Sequence, residues 1–262
     1  MPNNPKLQLL LKYAAIVRKD RSFSKSRVFF LRSLLYYPIA THWLEFIDSF
    51  YKKYGFEVAP WNIAGLPIRS YVSFSFGIKK RLTLLENHYS LMAQIFDFET
   101  VRKLLLNQPI LFSTLVRKDG QKCYFKLAIL EKYWREGGLT IHLTDEEDLI
   151  TTLTFSFEKN SSGQSNLIIG GLQGTILGKA KIVNITRGLH GLRPKYALLD
   201  CCYSFASCFG IDNIVAVSNK NHVFSKQDGR INSSYDEFWE EVGAIKNKDG
   251  NYQMPRACIQ IP

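Results

Sequence analysis

The feature that most constrains the fold of this chain is a change in hydrophobic periodicity near Asn107. Before it, apolar side chains recur at the three- and four-residue spacing of amphipathic helices. After it, short β-branched and aromatic runs alternate with turn signals such as Lys118-Asp119-Gly120 and Glu136-Gly137-Gly138, as in a meander of antiparallel strands. The pattern predicts an α+β chain: an N-terminal helical region over residues 1–105 packs on an α/β domain over residues 106–262, which has a central, mostly antiparallel mixed sheet.

The segment Asn166–Leu199 carries the strongest chemical signal. It begins as an apolar strand, breaks at a glycine-rich turn and leads to an apolar helix that Pro194 can start, because proline has no N–H to lose there. Arg193 and Lys195 flank that start, where the helix dipole disfavours cations and a bound anion would relieve the conflict. The pattern predicts a phosphate or carboxylate site, and the alternative is a nearby Asp or Glu that acts as counter-ion.

Three residues of the strand and turn are further candidates for cofactor binding. Gly171 and Gly174 leave the strand edge open to a ligand, and a bulge and turn required by packing explain them equally well. Gln173 stands alone among apolar residues and glycines, where its side chain can hold an amide or acyl carbonyl. The alternative for Gln173 is a solvent-facing turn residue.

Two histidines are candidates for a general base. His190 precedes a glycine and lies next to the two cations, so a neutral imidazole is expected there at physiological pH. His222 follows a predicted strand. In each case the alternative is a histidine that only stabilises a turn. His88 sits on a helix face and is expected to be structural, and Asp236 and Glu237 suit the cap of the last helix.

The charge and the cysteines limit the function class and the compartment. With 34 Lys and Arg against 23 Asp and Glu, the net charge of +11 favours an acidic partner, although a solvated basic surface explains it as well. The five cysteines have no metal-ligand spacing, and their odd number suits a reducing compartment. Neither a cleavable signal nor a run of roughly 18 apolar residues is present, so a cytoplasmic protein without a metal site is expected.

The order of the predicted elements resembles the GNAT superfamily of N-acetyltransferases. The segment YDEFWEEVG at Tyr235–Gly243 looks like the late tyrosine-containing helix of that superfamily. Its phosphate motif, Arg/Gln-x-x-Gly-x-Gly/Ala, would fall on HGLRPK. There His190 takes the Arg/Gln place, and Arg193 and Lys195 replace the glycines, so side-chain cations would stand where backbone amides normally close on a pyrophosphate.

A second resemblance covers roughly residues 30–255. The motifs GGLQG, HGLRPK, AVSNKNHVF and YDEFW, with ENHY upstream, look like those of the VirK/YbjX family of bacterial proteins, a domain of unknown function. The resemblance implies a bacterial source and a link to envelope properties, including virulence and resistance to antimicrobial peptides. It implies no agreed reaction.

Three functions follow as hypotheses. The first is an acyltransferase without a tightly bound cofactor. It would move an acyl group from a phosphopantetheine thioester, on an acidic acyl carrier protein or on coenzyme A, to an amine or hydroxyl of a peptide or small molecule. His190 or His222 would act as base, and amides near Gly170–Gly174 would stabilise the oxyanion. The second is a non-catalytic regulatory protein of envelope biogenesis that has lost the cofactor cradle. The third uses RKDRSFSKSR and IKKR to bind an anionic membrane or, least favoured, nucleic acid.

Overall fold

The computed structural model describes residues 4–160, 162–175, 179–211, 213–226 and 234–256. Its N-terminal part is helical, as the periodicity predicts. The side chain of Asn4 caps the first helix by accepting hydrogen bonds from two backbone amides, and Asp97 caps the last one. Between residues 4 and 105 the helices are α1 (Pro5–Asp20), α2 (Phe23–Leu35), α3 (Tyr37–Lys53), α4 (Trp61–Ala64), α5 (Ile78–Ile95) and α6 (Phe98–Leu105).

The described residues beyond α6 form one eight-stranded sheet. Its strands are β1 (Ile110–Val116), β2 (Lys122–Ala128), β3 (Leu139–Thr144), β4 (Leu149–Lys159), β5 (Ser165–Gly174), β6 (Asn213–Ala216), β7 (Ile245–Lys246) and β8 (Tyr252–Gln253). They lie in the order β1-β2-β3-β4-β5-β6-β8-β7. Neighbouring strands are antiparallel except β5 and β6, which are parallel. The predicted α+β class with a mostly antiparallel mixed sheet is therefore confirmed.

Three helices belong to this second part: α7 (Lys179–Gly188), α8 (Pro194–Cys208) and α9 (Tyr235–Glu241). Strand β4 is covered on both faces, because its side chains alternate in direction and residues 150–157 are all buried. Both α5 and α8 pack against it. Buried residues of the N-terminal helices and of the sheet thus form one continuous hydrophobic core across residue 105. None of the helices in the described ranges has the length and apolar character that a bilayer crossing requires.

The feature that positions the site is the way β5 leaves its parallel neighbour. Residues 166–169 of β5 pair with residues 213–216 of β6, and the Val217 amide donates one more hydrogen bond to the Ile169 carbonyl at 2.9 Å. Gly170 then forms a bulge against β4, since Phe155 pairs with Ile169 and Thr154 pairs with Gly171. From this bulge to Gly174 the strand is paired with β4 alone, so its other edge diverges from β6.

Candidate functional site

A buried carboxyl group lies over the bulge of β5. Glu136 follows a 3₁₀ turn at Glu131–Tyr133 and is only 2% exposed. Both of its carboxylate oxygens lie 2.8 Å from Nε2 of Gln173, which donates to them. Burial raises the pKa of Glu136 to about 8, although the Gln173 hydrogen bond and the charges of Lys132 and Arg135 oppose the shift. Glu136 is therefore a carboxyl group that titrates near neutrality.

The two glycines of the bulge make room for Glu136. A Cβ atom on Gly171 would lie 2.0 Å from Oε2 of Glu136, and one on Gly170 would lie 1.8 Å from its backbone carbonyl oxygen. Real Cβ atoms do not approach other atoms so closely, so larger residues would displace the Glu136 segment. Of the two explanations that the sequence left open for Gly171, close packing is the one that these distances describe.

Tyr235 and His222 complete the buried group. Tyr235 is the first residue of α9, and its ring stacks on His222 with 5.2 Å between ring centroids. Burial is the main cause that raises the pKa of Tyr235, and the charge of Glu136 adds to it. Hydrogen bonds from the Leu172 backbone and the Gln173 side chain oppose that rise, so the Tyr235 hydroxyl group lies against the edge of β5 that β6 leaves unpaired.

His222 is a buried, neutral imidazole. It is 1% exposed, and burial, with a contribution from Arg135, lowers its pKa to about 4. Its Nδ1 atom accepts a hydrogen bond from the Phe224 amide at 3.3 Å, so the proton of the neutral ring is on Nε2. That buried Nε2 atom has no hydrogen-bond partner among the residues that the structure describes. The only lone pair that could accept a proton is thus already engaged.

Next to this group, the start of α8 borders a surface cavity of about 480 Å³. Gly174, Arg193 and Lys195 all line it. Nη1 of Arg193 lies 3.4 Å from Oε1 of Glu241 on α9. Glu241 is thus a counter-ion of Arg193 in a solvent-exposed ion pair. Lys195 has no carboxylate at ion-pair distance in the described part of the chain. Its ammonium group lies 5.9 Å from the centroid of the Phe238 ring, and burial lowers its pKa.

The residues predicted from the sequence thus fall into two adjoining groups. Gly171, Gln173 and His222 surround Glu136 and Tyr235, whereas Gly174, Arg193 and Lys195 line the cavity. The groups touch because Gln173 and Gly174, like Ser234 and Tyr235, are consecutive in the chain. His190 belongs to neither group. It is an exposed residue of the turn between α7 and α8, has a φ of 59°, and donates its amide to the Arg187 carbonyl at 3.2 Å.

Sequence reasoning missed Glu136 and the position of Tyr235 beside it. The two glycines that follow Glu136 in the sequence predict a hairpin turn there. The glycines are instead places of close approach: a Cβ on Gly138 would lie 2.0 Å from Nε2 of His88. Within the described ranges, no group of three or more His, Cys, Asp or Glu residues is placed to hold a metal ion. The four cysteines there are free thiols, and Cys258 lies outside the described residues.

Comparison with known proteins gives a family but no structural neighbour. The model of a family described as protein of unknown function, DUF535, matches residues 18–260. The chain is 28% identical over 247 residues to the uncharacterized protein YbjX of Escherichia coli (strain K12), an alignment that covers 90% of this chain and 73% of that relative. No solved structure matches the chain.

Proposed function

Since this chain belongs to the DUF535 family, the bacterial VirK/YbjX group that its motifs resemble, and the family name states no function, we propose a function from the geometry of its site. The protein is an acyltransferase that moves an acyl group from a phosphopantetheine thioester to an amine or hydroxyl. Acyl carrier protein or coenzyme A carries the thioester. The acceptor is a peptide or small molecule linked to the bacterial envelope.

The divergence of β5 from β6 is the observation that carries this proposal. A pantetheine arm is extended and has amide groups, so it can approach the accessible end of this edge, at Gln173 and Gly174, as an added strand would. The only parallel pair of the described sheet adjoins this edge, and α8 begins beside it. The GNAT resemblance leads to the same expectation for the donor. Here the cations Arg193 and Lys195 would receive the phosphate of the arm.

The acyl chain has a candidate site of its own on the other side of the α8 start. A second cavity of about 660 Å³ lies between α8 and strands β1 and β2, within the size range of small-molecule sites. Its lining is mostly apolar and includes Leu192, the neighbour of Arg193. Leu192 and Ala197 of this lining flank the residues of the α8 start that border the first cavity, so the two cavities are neighbours.

Tyr235 and Glu136 supply the proton transfers in the proposed reaction. The acceptor nitrogen or oxygen attacks the thioester carbonyl carbon, the C–S bond breaks, and the sulfur leaves with the electron pair. Tyr235 gives its hydroxyl proton to the sulfur, and Glu136 takes the proton that the acceptor loses. Transfer of that proton from Glu136 to the tyrosinate restores both groups. Glu136 suits the role of base better than His222, because its pKa lies near neutrality and the Nδ1 lone pair of His222 is engaged.

A specific observation favours a second function, a non-catalytic binding protein of envelope biogenesis. Glu136, His222 and Tyr235 are all buried, and Gln173 occupies both oxygens of the Glu136 carboxylate. Buried polar groups that contact one another in this way can stabilise and specify a core without any chemistry.

Single-turnover assays separate the two functions. The protein is mixed with long-chain acyl carrier protein or acyl-CoA and with amine and hydroxyl acceptors, and released thiol and acylated product are measured. Tyr235→Phe and Glu136→Gln are expected to slow transfer by ~10²–10⁴-fold. His190→Ala and His222→Ala, with folding checked by circular dichroism, test the two bases predicted from the sequence, since wild-type rates in both folded variants would exclude a histidine base. Carrier-protein binding in calorimetry, with no more thiol release than in the Tyr235→Phe/Glu136→Gln protein, would establish the binding function instead.

A further inference from the structure

A third cavity, remote in sequence from the start of α8, is lined by arginines. It has a volume of about 450 Å³ and lies where the end of α2 meets the loop before α5 and the segment that precedes Glu136. We call it the arginine cavity. The residues that line it are Arg32, Leu35, Tyr36, Ile68, Arg69, Ser70, Arg81 and Arg135, with no carboxylate among them.

Backbone carbonyls, which carry no net charge, hold two of these arginines in place. Nη1 of Arg81 donates to the carbonyl of Arg69, and Nε of Arg135 donates to the carbonyl of Ser70 at 3.1 Å. Among the described residues, no carboxylate lies at ion-pair distance from Arg32, Arg69 or Arg81. The Arg81 guanidinium group is therefore oriented but has no carboxylate counter-ion in the described part of the chain, and Arg32 and Arg69 have none there either.

Two further observations favour an anionic ligand in this cavity. Nε of Arg81 is buried and has no acceptor within the described ranges, although a buried donor normally has one. Burial first, and then the charges of Arg32 and Arg21, lower the pKa of Arg69. Half-buried cations that repel one another lower the stability of the folded protein. A bound ligand with negative charge and several acceptor oxygens would offset this loss. Arginine forks match phosphate oxygens especially well.

The surface beside the arginine cavity is apolar. Helix α2 exposes a row of large apolar side chains, among them Leu31, which is 60% exposed, and Leu35, which is 73% exposed. Leu35 also lines the cavity, so the apolar row and the cationic site are continuous. Lys25 and Arg27 add exposed cations to the same helix. A helix with exposed apolar and cationic groups is suited to the interface of an anionic bilayer.

We propose that the arginine cavity binds the phosphate of an anionic phospholipid headgroup while the exposed apolar side chains of α2 enter the lipid surface. The charge of the cavity selects the phosphate, and the apolar row that ends in Leu35 selects a phosphate borne by a lipid. This places the protein at a membrane surface without a membrane-spanning segment. It is independent of whether the β5 edge performs acyl transfer.

Vesicle cosedimentation tests the proposal on the full-length protein. The wild-type protein is expected to bind phosphatidylcholine vesicles that contain phosphatidylglycerol, and not vesicles of phosphatidylcholine alone. Arg32→Glu should weaken this binding by about ten- to thirtyfold. Its matched control is Arg102→Glu, an equal charge change at an exposed position of α6. Because the introduced carboxylate would also neutralise the neighbouring arginines, Arg32→Glu is expected to melt at a higher temperature than the wild type, which separates lost binding from lost folding.

Further variants and ligands test whether the bound phosphate belongs to a lipid or to a free molecule. Leu31→Ser/Leu35→Ser should also lose vesicle binding, whereas Leu11→Ser, at an exposed position of α1, should not. Equal losses in Arg32→Glu and Arg102→Glu would overturn the arginine cavity as the site. Full vesicle binding by the α2 double variant, together with Arg32-dependent binding of glycerol phosphate, would show a site for free phosphate and overturn the lipid. Arg32-dependent binding of a single-stranded RNA, without vesicle binding, would replace the membrane by nucleic acid.

Discussion

Folding raises the pKa of the Glu136 carboxyl group, and the effect of this shift on stability has a sign that can be measured. Its pKa rises from 4.5 to about 8 on burial. Between these values the unfolded chain loses the proton while the folded chain keeps it, so the free energy of unfolding falls as pH rises through this window. The loss is roughly a few kcal/mol for a shift of this size.

Glu136→Gln should remove this pH dependence, because a side-chain amide has no proton to lose there. Thermal denaturation at pH 5, 6.5 and 8 is the measurement. The melting temperature of the wild type should fall by more than that of Glu136→Gln over this range. Glu99→Gln, at an exposed position of α6, should behave like the wild type. Parallel curves for the wild type and Glu136→Gln would mean that Glu136 is ionised in the folded protein at all three pH values.

The close contact at Gly171 gives a second prediction. Gly171→Ala should destabilise the protein by about 1–3 kcal/mol, since its Cβ would overlap Oε2 of Glu136. Gly174→Ala, whose Cβ has no atom within 4 Å, should change the free energy of unfolding by less than about 0.5 kcal/mol. Urea denaturation measures both.

A double variant tests whether Glu136 is the cause. Shortening it in Glu136→Ala removes the clashing oxygen, so Gly171→Ala should cost less in that background than in the wild type. Equal costs in both backgrounds would place the strain in the backbone of the β5 bulge instead.

Candidate site residues that lie in one local sequence motif are easier to identify than residues that meet only in the folded structure. Gln173, His222 and Lys195 were singled out from local composition, and the structure places them in two adjoining groups. Glu136 was overlooked because its chemistry depends on Gln173, 37 residues later, and no local pattern reports that contact. His190 was favoured because it lies next to Arg193 and Lys195 in sequence, and the turn leaves its side chain exposed.

At the scale of elements, the start of α8 is expected to hold the phosphate of the donor. Arg193→Ala/Lys195→Ala should weaken binding of acyl carrier protein or a coenzyme A analogue by more than tenfold in calorimetry, with little change in melting temperature, because the Arg193–Glu241 pair is exposed. Arg102→Ala/Lys103→Ala removes the same two charges from α6 and is the control. Equal binding by both double variants would assign Arg193 a counter-ion role only.

The apolar cavity between α8 and strands β1 and β2 should determine which length of acyl chain the protein accepts. Ser204 is exposed and lines the apolar cavity, so Ser204→Trp would fill part of it. Binding of a long-chain acyl donor should fall while binding of an acetyl donor is retained. Ser207→Trp, on the same helix but outside this cavity, is the control. If long-chain and acetyl donors respond alike to Ser204→Trp, the chain lies elsewhere.

At the scale of the molecule, the fold class can be predicted from hydrophobic periodicity. Burial of one face imposes a characteristic spacing of apolar residues on each helix and each strand, and this spacing is visible locally in the sequence. Strand order depends on contacts between distant segments, and periodicity does not encode it. The continuous core predicts that the two parts of the chain unfold together. Buried Trp43 and Trp239 report on α3 and α9. Tryptophan fluorescence and far-ultraviolet circular dichroism should therefore give one urea midpoint, whereas two midpoints would indicate separate folding units on either side of residue 105.

The short parallel pairing of β5 and β6 has a consequence for exchange of amide hydrogens with solvent. Strands β6, β8 and β7 are only four, two and two residues long, and four residue pairs join them to β5. Such an edge opens at a lower free energy than the whole molecule unfolds. The amides of β6 should therefore exchange deuterium sooner than those of β4, which is hydrogen-bonded on both sides. Each such opening would bring solvent, and any molecule small enough to follow it, to the buried Glu136.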